Sequence, residues 1–259
     1  MLLLTAQRLK RQQIKMYKNN YSFHTPDQSL TIWRYLDFTK FVDLLLSSQL
    51  FFARSDKFED PFEGVLRLKD YENTKHMLIN QQLTKTFYFL NCWHINDNQS
   101  DAMWKIFLKT KNGIAIKSTV ENLIKSLEHS QDDIFISKVY YRNFEKVTFS
   151  ELMNEEQNKL FEGRGGSLNQ FNYKRISFDH EKELRLYYID LPIPHAIKNG
   201  IPREPLTHKR IDINIGELIN EIVIAPFADP WFKDLVEKTI EKLNLKFEVS
   251  KSELYELRE

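Results

Sequence analysis

The sequence predicts an α+β protein in which short buried strands alternate with amphipathic helices. Strand patterns recur along the chain, as in the aromatic-rich run Thr86–His94. Helical spacing of apolar residues recurs between them, beginning with Phe38, Phe41 and Leu45. Hydrophobic residues make up 42% of the 259 positions and only 7 are glycine, which excludes disordered and collagen-like chains.

The elements follow from local patterns and from the residues that begin and end them. Asp37 and Ser100 or Asp101 are expected helix caps, and Asp229-Pro230 is a typical helix start. Strands are predicted at 31–36, 49–54, 86–94, 113–117, 134–141, 183–189, 221–225 and 247–249. Helices are predicted at 38–46, 71–82, 101–107, 118–127, 149–161 and 230–243.

The domain organisation is predicted from composition. Residues 1–30 are interpreted as a basic helical arm, and residues 31–259 as a single α+β domain without an internal linker. Three irregular loops are expected, at Ser55–Gly64, Gly163–Gly166 and Pro192–Pro205.

Charge and cysteine content limit the function classes. Lys and Arg number 37 against 36 Asp and Glu, so the net charge of +1 argues against nucleic-acid binding through bulk positive charge. The single cysteine cannot form an internal disulfide or a multi-thiolate metal site, and it is consistent with a reducing, cytoplasmic location. No apolar run approaches the roughly 20 residues that span a bilayer, so no membrane association is expected.

The segment Glu181–Leu186 is the most informative candidate site. If it is a strand, Glu181, Glu183 and Arg185 share one face, and Leu184 and Leu186 point to the other. Adjacent carboxylates are tolerated where they bind a cation or do chemistry. The alternative is a solvated strand face with an internal Glu183–Arg185 pair.

A second candidate combines aromatic and guanidinium groups near the start of the predicted domain. In the motif Trp33-Arg34-Tyr35, Arg34 could bind phosphate through two hydrogen bonds, and Tyr35 offers a flat ring and a hydroxyl to a nucleotide. The alternative is an arginine at a strand edge beside a core tyrosine.

Other polar motifs are interpreted mainly as structural. Carboxylates of the acidic loop, at Glu59, Asp60 and Glu63, could bind Mg²⁺, although a structural turn is favoured. Cys92 and His94 share a strand face, and a packed thiol beside a hydrogen-bonded histidine that lines a cleft is expected. Solvated surface is expected for the local basic groups Lys174, Arg175, His208, Lys209 and Arg210.

The order of these motifs resembles a widespread prokaryotic family of unknown function, numbered 2971, some of whose relatives are associated with abortive phage resistance. The resemblance extends over residues 31–230. Its motifs are Trp33–Tyr35, Leu44–Phe51, Arg54–Gly64, Cys92–His94, Asp101–Trp104, Gly113–Lys117, Lys138–Tyr141, Glu181–Leu186 and Glu221–Pro226.

A weaker resemblance, to the ADP-ribosyltransferase fold, implies a mixed, largely antiparallel split sheet with flanking helices. It rests on the order of Arg34, the helix 38–46, the strand 51–55 and Glu181-x-Glu183. The resemblance implies that NAD is the substrate and that Glu183 is the catalytic carboxylate. The expected Ser-Thr-Ser motif is missing, and Arg185 beside Glu183 is not part of the family pattern.

The resemblance also implies roles for the neighbouring residues. Glu181 would orient the ribose or the acceptor. The acceptor would be a nucleic acid or a protein. No metal would be required. The remaining NAD contacts would come from Arg34, Tyr35, Phe52, Arg54, His94 and Arg185.

The implied setting is phage defence or a toxin–antitoxin pair, in which a partner protein is expected. Two alternatives remain open. One is a non-catalytic nucleotide- or partner-binding component, and the other is a metal-dependent nuclease that uses Glu59, Asp60, Glu63, Glu181 and Glu183.

Overall fold

The computed structural model describes residues 26–74, 77–159, 169–190 and 206–257. The strands are β1 Thr31–Asp37, β2 Gln49–Arg54, β3 Tyr88–Ile95, β4 Gly113–Thr119, β5 Phe135–Lys138, β6 Tyr140–Arg142, β7 Tyr173–Arg175, β8 Glu183–Ile189, β9 His208–Asp212, β10 Glu221–Ile224 and β11 Val249–Lys251. The helices are α1 Phe38–Ser47, α2 Tyr71–Thr74, α3 Met77–Thr84, α4 Asp101–Phe107, α5 Val120–Ser126, α6 Phe149–Lys159, α7 Ile215–Leu218 and α8 Pro230–Lys242. Single-turn 3-10 helices cover Ser55–Lys57 and Gln170–Asn172, and a longer one covers Ile176–Glu181.

Nine of the described strands form one open sheet in the order β11-β10-β4-β1-β3-β2-β9, to which β8 is added beside β3 and β5 beside β8. The β10–β11 pair is parallel, and the other pairs within this sheet are antiparallel. The prediction of an α+β fold is therefore confirmed, with a mixed and mostly antiparallel sheet. A separate sheet pairs β6 with β7 in parallel.

Strand β3 pairs with three strands, so the sheet branches at this point. β8 pairs with all of β3, from Tyr88 to His94, and occupies one edge. The other edge is shared, because β1 pairs with Ile95 and His94 while β2 pairs with Leu90 and Phe89. The intervening residues 91–93 therefore lie where β1 and β2 separate. The side chain of Asn91 crosses to β2 and donates to the carbonyl of Phe51 at 2.9 Å.

One face of the sheet carries the main apolar core. Leu184 and Leu186 of β8 are fully buried there, as their alternation predicts. They belong to one apolar cluster that also contains Phe41 of α1, Leu123 of α5 and Val236 of α8. The opposite face of the sheet carries the polar residues described below.

Local signals set several boundaries correctly. The carboxylate of Asp37 accepts from the Lys40 N–H at 2.9 Å and begins α1. The Ser100 hydroxyl caps α4 by accepting from the Met103 N–H, and Pro230 occupies the first turn of α8.

Two segments differ from prediction. The expected strand at 134–141 is divided into β5, which pairs with β8, and β6, which leaves that sheet and pairs with β7 in the small one. The expectation that Glu181 lies on the same strand face as Glu183 is wrong. Glu181 ends a 3-10 helix, and Lys182, at φ 38°, reverses the chain before β8 begins.

Smaller differences concern element ends. Within the described residues, the helix expected at 71–82 covers 71–74 and 77–84 and so ends two residues later, and the strand expected at 247–249 begins at Val249. Most of the predicted arm, the Gly163–Gly166 cluster and the Pro192–Pro205 loop lie outside the described residues. Among the described helices, none is long and apolar enough to cross a membrane.

Candidate functional site

Strand register brings the candidate residues onto the polar face of the sheet. His94 pairs with Glu183, and Cys92 pairs with Arg185, so these four side chains share that face. Trp33 of β1 is the other partner of His94, and Tyr35 lies two residues further along the same face. The segment 169–181 and the acidic loop supply the remaining groups. We name Glu63, Lys174, Glu181, Glu183 and Arg185 the Glu183 cluster.

Arg185 is fully buried at the centre of this cluster. Its Nε donates to Glu183 Oε2 at 2.7 Å, and its Nη2 donates to Glu183 Oε1 at 3.1 Å. Its Nη1 and Nη2 donate to the two carboxylate oxygens of Glu63 at 2.6 and 3.1 Å. The fifth bond runs from Nη1 to the carbonyl of Phe171 at 2.9 Å. All the N–H groups of this guanidinium are thus used, which is the condition under which a buried charge is tolerated.

Lys174 joins the two glutamates that the strand pattern had placed together. Its Nζ donates to Glu183 Oε1 at 2.8 Å and to Glu181 Oε2, and it lies 3.9 Å from Glu63 Oε2. The ammonium also lies 4.6 Å from the ring centre of Phe178. Glu181 is therefore joined to Glu183 through a shared cation, although it lies outside the strand.

The two adjacent carboxyls have opposite protonation preferences. Burial, a hydrogen bond to Glu183 and the charge of Glu183 raise the pKa of Glu181 to about 8, so it is mostly protonated at pH 7. Burial opposes ionisation of Glu183, but Arg185, the Glu181 hydrogen bond and Lys174 outweigh it and hold the pKa of Glu183 well below its usual range. A protonated acid thus lies against an ionised carboxylate, the pattern in which one group donates and the other stabilises positive charge.

The acidic loop is fastened to this cluster at two points. Glu63 binds Arg185, and Asp60 binds Arg175 at 2.9 Å. Between the loop and the cluster, Gly64 has φ 64°, and a Cβ there would come 2.1 Å from the Phe171 ring. Glycine is required here because the backbone is left-handed and the space is already filled.

His94 and Tyr35 lie beside the cluster, and both are about 5% exposed. His94 Nδ1 lies 2.7 Å from the carbonyl oxygen of Glu181. Because a carbonyl only accepts, Nδ1 carries the proton and Nε2 presents a lone pair. Burial is the main cause that lowers the pKa of His94, and Lys182 and His180 add to it. The ring is therefore neutral at pH 7.

The lone pair of His94 has no hydrogen-bond partner within the part of the chain that the structure describes, although Nε2 is buried. The ring of Tyr35 is centred 6.3 Å from that of His94. The Tyr35 oxygen accepts from the Ser100 N–H at 2.9 Å, and burial raises the pKa of Tyr35 to about 12, so it keeps its proton.

Three predicted NAD contacts lie on the opposite, core-facing side of the sheet. Arg34 shares that side with Trp93, and its Cζ is 5.7 Å from the Trp93 ring centre. Phe52 is fully buried, and Arg54 is bound to Asp56. The structure therefore brings Tyr35, His94, Glu181, Glu183 and Arg185 together, and it does not bring Arg34, Phe52 or Arg54 to them.

Arg34 is nevertheless unusual. Its Nη1 is buried without a hydrogen-bond partner among the described residues, and burial lowers the pKa of Arg34 to about 10.

Cys92 packs on the polar face, as predicted, and burial raises the pKa of its thiol. It therefore lacks the thiolate character of a nucleophile. Of the five acids of the nuclease hypothesis, Glu63, Glu181 and Glu183 meet in the Glu183 cluster, where they are paired with Lys174 and Arg185. Glu59 is exposed, Asp60 binds Arg175, and Glu63 and Glu183 bind Arg185. Within the described ranges no group of three or more histidine, cysteine or acidic residues is arranged to hold a metal ion.

Two residues of the site were not predicted from the sequence as site residues. Lys174 was expected on the solvated surface, but its side chain is only 10% exposed and lies in the cluster. The hydroxyl of Tyr141 accepts from the Glu183 N–H at 2.9 Å, and burial, together with the charge of Glu183, raises the pKa of Tyr141. Both lie in strands of the small parallel sheet, whose pairing no local pattern announces.

Comparison with known proteins supports the first resemblance. Residues 103–186 match the model of a family described as protein of unknown function (DUF2971). The match covers about a third of the chain and includes Lys174, Glu181, Glu183 and Arg185. No curated protein and no solved structure matches the chain.

Proposed function

We propose that the protein cleaves the nicotinamide–ribose bond of NAD at the Glu183 cluster and transfers ADP-ribose to an acceptor. The observation that carries the proposal is the ionised Glu183, held between Arg185 and Lys174 and in contact with protonated Glu181. Neutral His94 and Tyr35 lie on the same face of the sheet.

The chemistry requires an anion at the carbon from which nicotinamide departs. When the C1′–N bond breaks, its electron pair leaves with nicotinamide and positive charge develops on the ribose. A fixed carboxylate stabilises that charge, as in glycoside cleavage. Glu183 supplies the carboxylate, and protonated Glu181 can donate a hydrogen bond to a ribose hydroxyl or to the acceptor. Arg185 holds Glu183 in place.

The proposal assigns substrate contacts to Tyr35, His94, Glu181 and Glu183. Arg34, Phe52 and Arg54 have no role at the ribose, because they face the other side of the sheet. The resemblance to relatives associated with phage resistance adds a cytoplasmic defence or toxin–antitoxin setting to the proposal, in which a partner protein would restrain the activity.

The test measures free nicotinamide after incubation with NAD and chelator, with and without DNA, RNA and cell lysate. Glu183→Gln should lower release roughly 10²-fold or more, because a fixed electrostatic group of this kind contributes about that much. Glu221→Gln is the matched control, since Glu221 is also a strand glutamate paired with a lysine, at 3.3 Å from Lys117. Both variants are checked for folding by circular dichroism. No release by folded wild type under any condition overturns the proposal.

A second function, nucleotide binding without turnover, is favoured by the full pairing of the cluster. Both oxygens of Glu183 accept from Arg185, one of them also from Lys174, and Arg185 has no spare donor. Such a network can also serve as a rigid wall for a ligand. Titration calorimetry with NAD and ADP-ribose decides between the two. Saturable binding without nicotinamide release supports this function, and absence of binding excludes it.

A further inference from the structure

The lone pair on His94 Nε2 is not used when the C1′–nicotinamide bond breaks. The ring is about 5% exposed, its tautomer is fixed by the Glu181 carbonyl, and Nε2 is buried without a partner in the described part of the chain. A buried acceptor is ordinarily paired, and an exception calls for an explanation. A hydrogen-bond donor on a bound molecule would supply the missing partner of Nε2.

We propose that Nε2 of His94 is the general base that takes the proton of the acceptor during ADP-ribose transfer. This inference rests on the proposed function and names the acceptor chemistry: a neutral O–H or N–H nucleophile, such as water, a hydroxyl or an amide. A new bond forms between the nucleophile and C1′ as the C1′–nicotinamide bond breaks. The proton of the nucleophile moves to Nε2, and the imidazolium then releases it to solvent.

The surroundings of His94 support this role. Glu183 is the cross-strand partner of His94 in the β3–β8 pair, so the carboxylate assigned to the sugar cation and the proposed base lie on the same face of the sheet. Tyr35 faces the ring from β1 and keeps its proton. The electrostatic influence of Lys182 and His180 adds to burial in lowering the pKa of His94, which disfavours a charged ring at rest. His94 is therefore neutral before reaction, as a general base must be, and becomes charged only when it takes the proton.

The test compares His94→Gln with His208→Gln. His208 belongs to β9, stacks on Phe51 at 5.2 Å and is exposed, so it is the matched control. His94→Gln keeps a hydrogen-bonding group but cannot take a proton at neutral pH. It should lower the rate of transfer roughly 10²-fold, the usual contribution of a general base. The loss should fall mainly on kcat, with a smaller change in KM for NAD, and the acid limb of the pH–rate profile should disappear. Added imidazole should restore part of the rate.

Several outcomes overturn the inference. One is nicotinamide release by His94→Gln with the rate and pH profile of His208→Gln, which would leave the proposed function intact. Another is no release by wild type, which overturns both. A third measurement does not depend on activity: the ¹⁵N resonances of His94 should show a protonated Nδ1 and a bare Nε2 at pH 7. The reverse tautomer contradicts the proposal even in an active enzyme.

Discussion

Replacing the buried Arg185 with methionine should lower the free energy of unfolding far more than the same replacement of an exposed arginine that is also paired with a carboxylate. Methionine keeps the apolar stem but removes all five hydrogen bonds of the guanidinium. The carboxylates of Glu63 and Glu183 then remain buried, with only Lys174 to balance them. Removing one partner of a buried pair costs about 3–5 kcal/mol of unfolding free energy.

The matched control is Arg210→Met. Arg210 binds a single carboxylate with two donors, at 3.0 and 3.1 Å from Asp43, and the two side chains are 34% and 47% exposed. Solvent-exposed pairs contribute about 0–1 kcal/mol. The buried and exposed variants should therefore differ by about 2–5 kcal/mol. This corresponds to roughly 4–20 °C in melting temperature at about 2–4 °C per kcal/mol.

The assay is urea unfolding followed by the fluorescence of the four tryptophans. The midpoint should fall strongly for Arg185→Met with little change in slope, and adding Glu63→Gln should restore part of the loss by removing an uncompensated charge. Equal midpoints for Arg185→Met and Arg210→Met would refute the view that the cluster is a buried ion-pair network.

Two further predictions concern the protonated carboxyl and the left-handed glycine. Because the pKa of Glu181 is raised to about 8 from an ordinary 4.5, its contribution to stability is fully present below about pH 4.5 and is lost as pH rises through 8. Glu181→Gln should abolish this part of the decline in urea midpoint between pH 5 and pH 8.5, and an unchanged decline would contradict the assignment. Gly64→Ala should cost at least about 1–2 kcal/mol, because it forces a side chain into left-handed backbone and against Phe171. Gly216→Ala, whose nearest neighbour would be 3.4 Å away, should be close to neutral by the same assay, and equal effects would disprove the explanation.

Local signals carried much of the fold. Residues 49–54 form the predicted strand without a shift, and Asp37 and Pro230 begin helices as expected, because alternation, capping and proline geometry act within a few residues. The broken strand at 134–141 could not be predicted, because its interruption depends on β8 and β7, which come later in the chain.

The parts of the site that depend on local strand geometry were predictable, and the parts that depend on contacts between distant segments were not. Glu183 and Arg185 share a face because they lie two apart in a strand, whereas Glu181 meets them through a turn and Lys174. Arg34 and Tyr35 are neighbours in β1, and strand alternation alone places them on opposite sides of the sheet. The prediction grouped them as one nucleotide-binding pair because they are adjacent in the chain and combine a guanidinium with an aromatic ring.

The two ties between the acidic loop and the rest of the site have a kinetic consequence. Asp60 reaches Arg175 across 115 residues, and Glu63 reaches Arg185 across 122. Contacts of such separation form late, since loop-closure entropy must be overcome first. During synthesis the loop leaves the ribosome long before its arginine partners, and its carboxylates remain hydrated at no cost. The cluster therefore assembles only when β8 has been made, so a nascent chain that ends before it carries the acidic loop without the site.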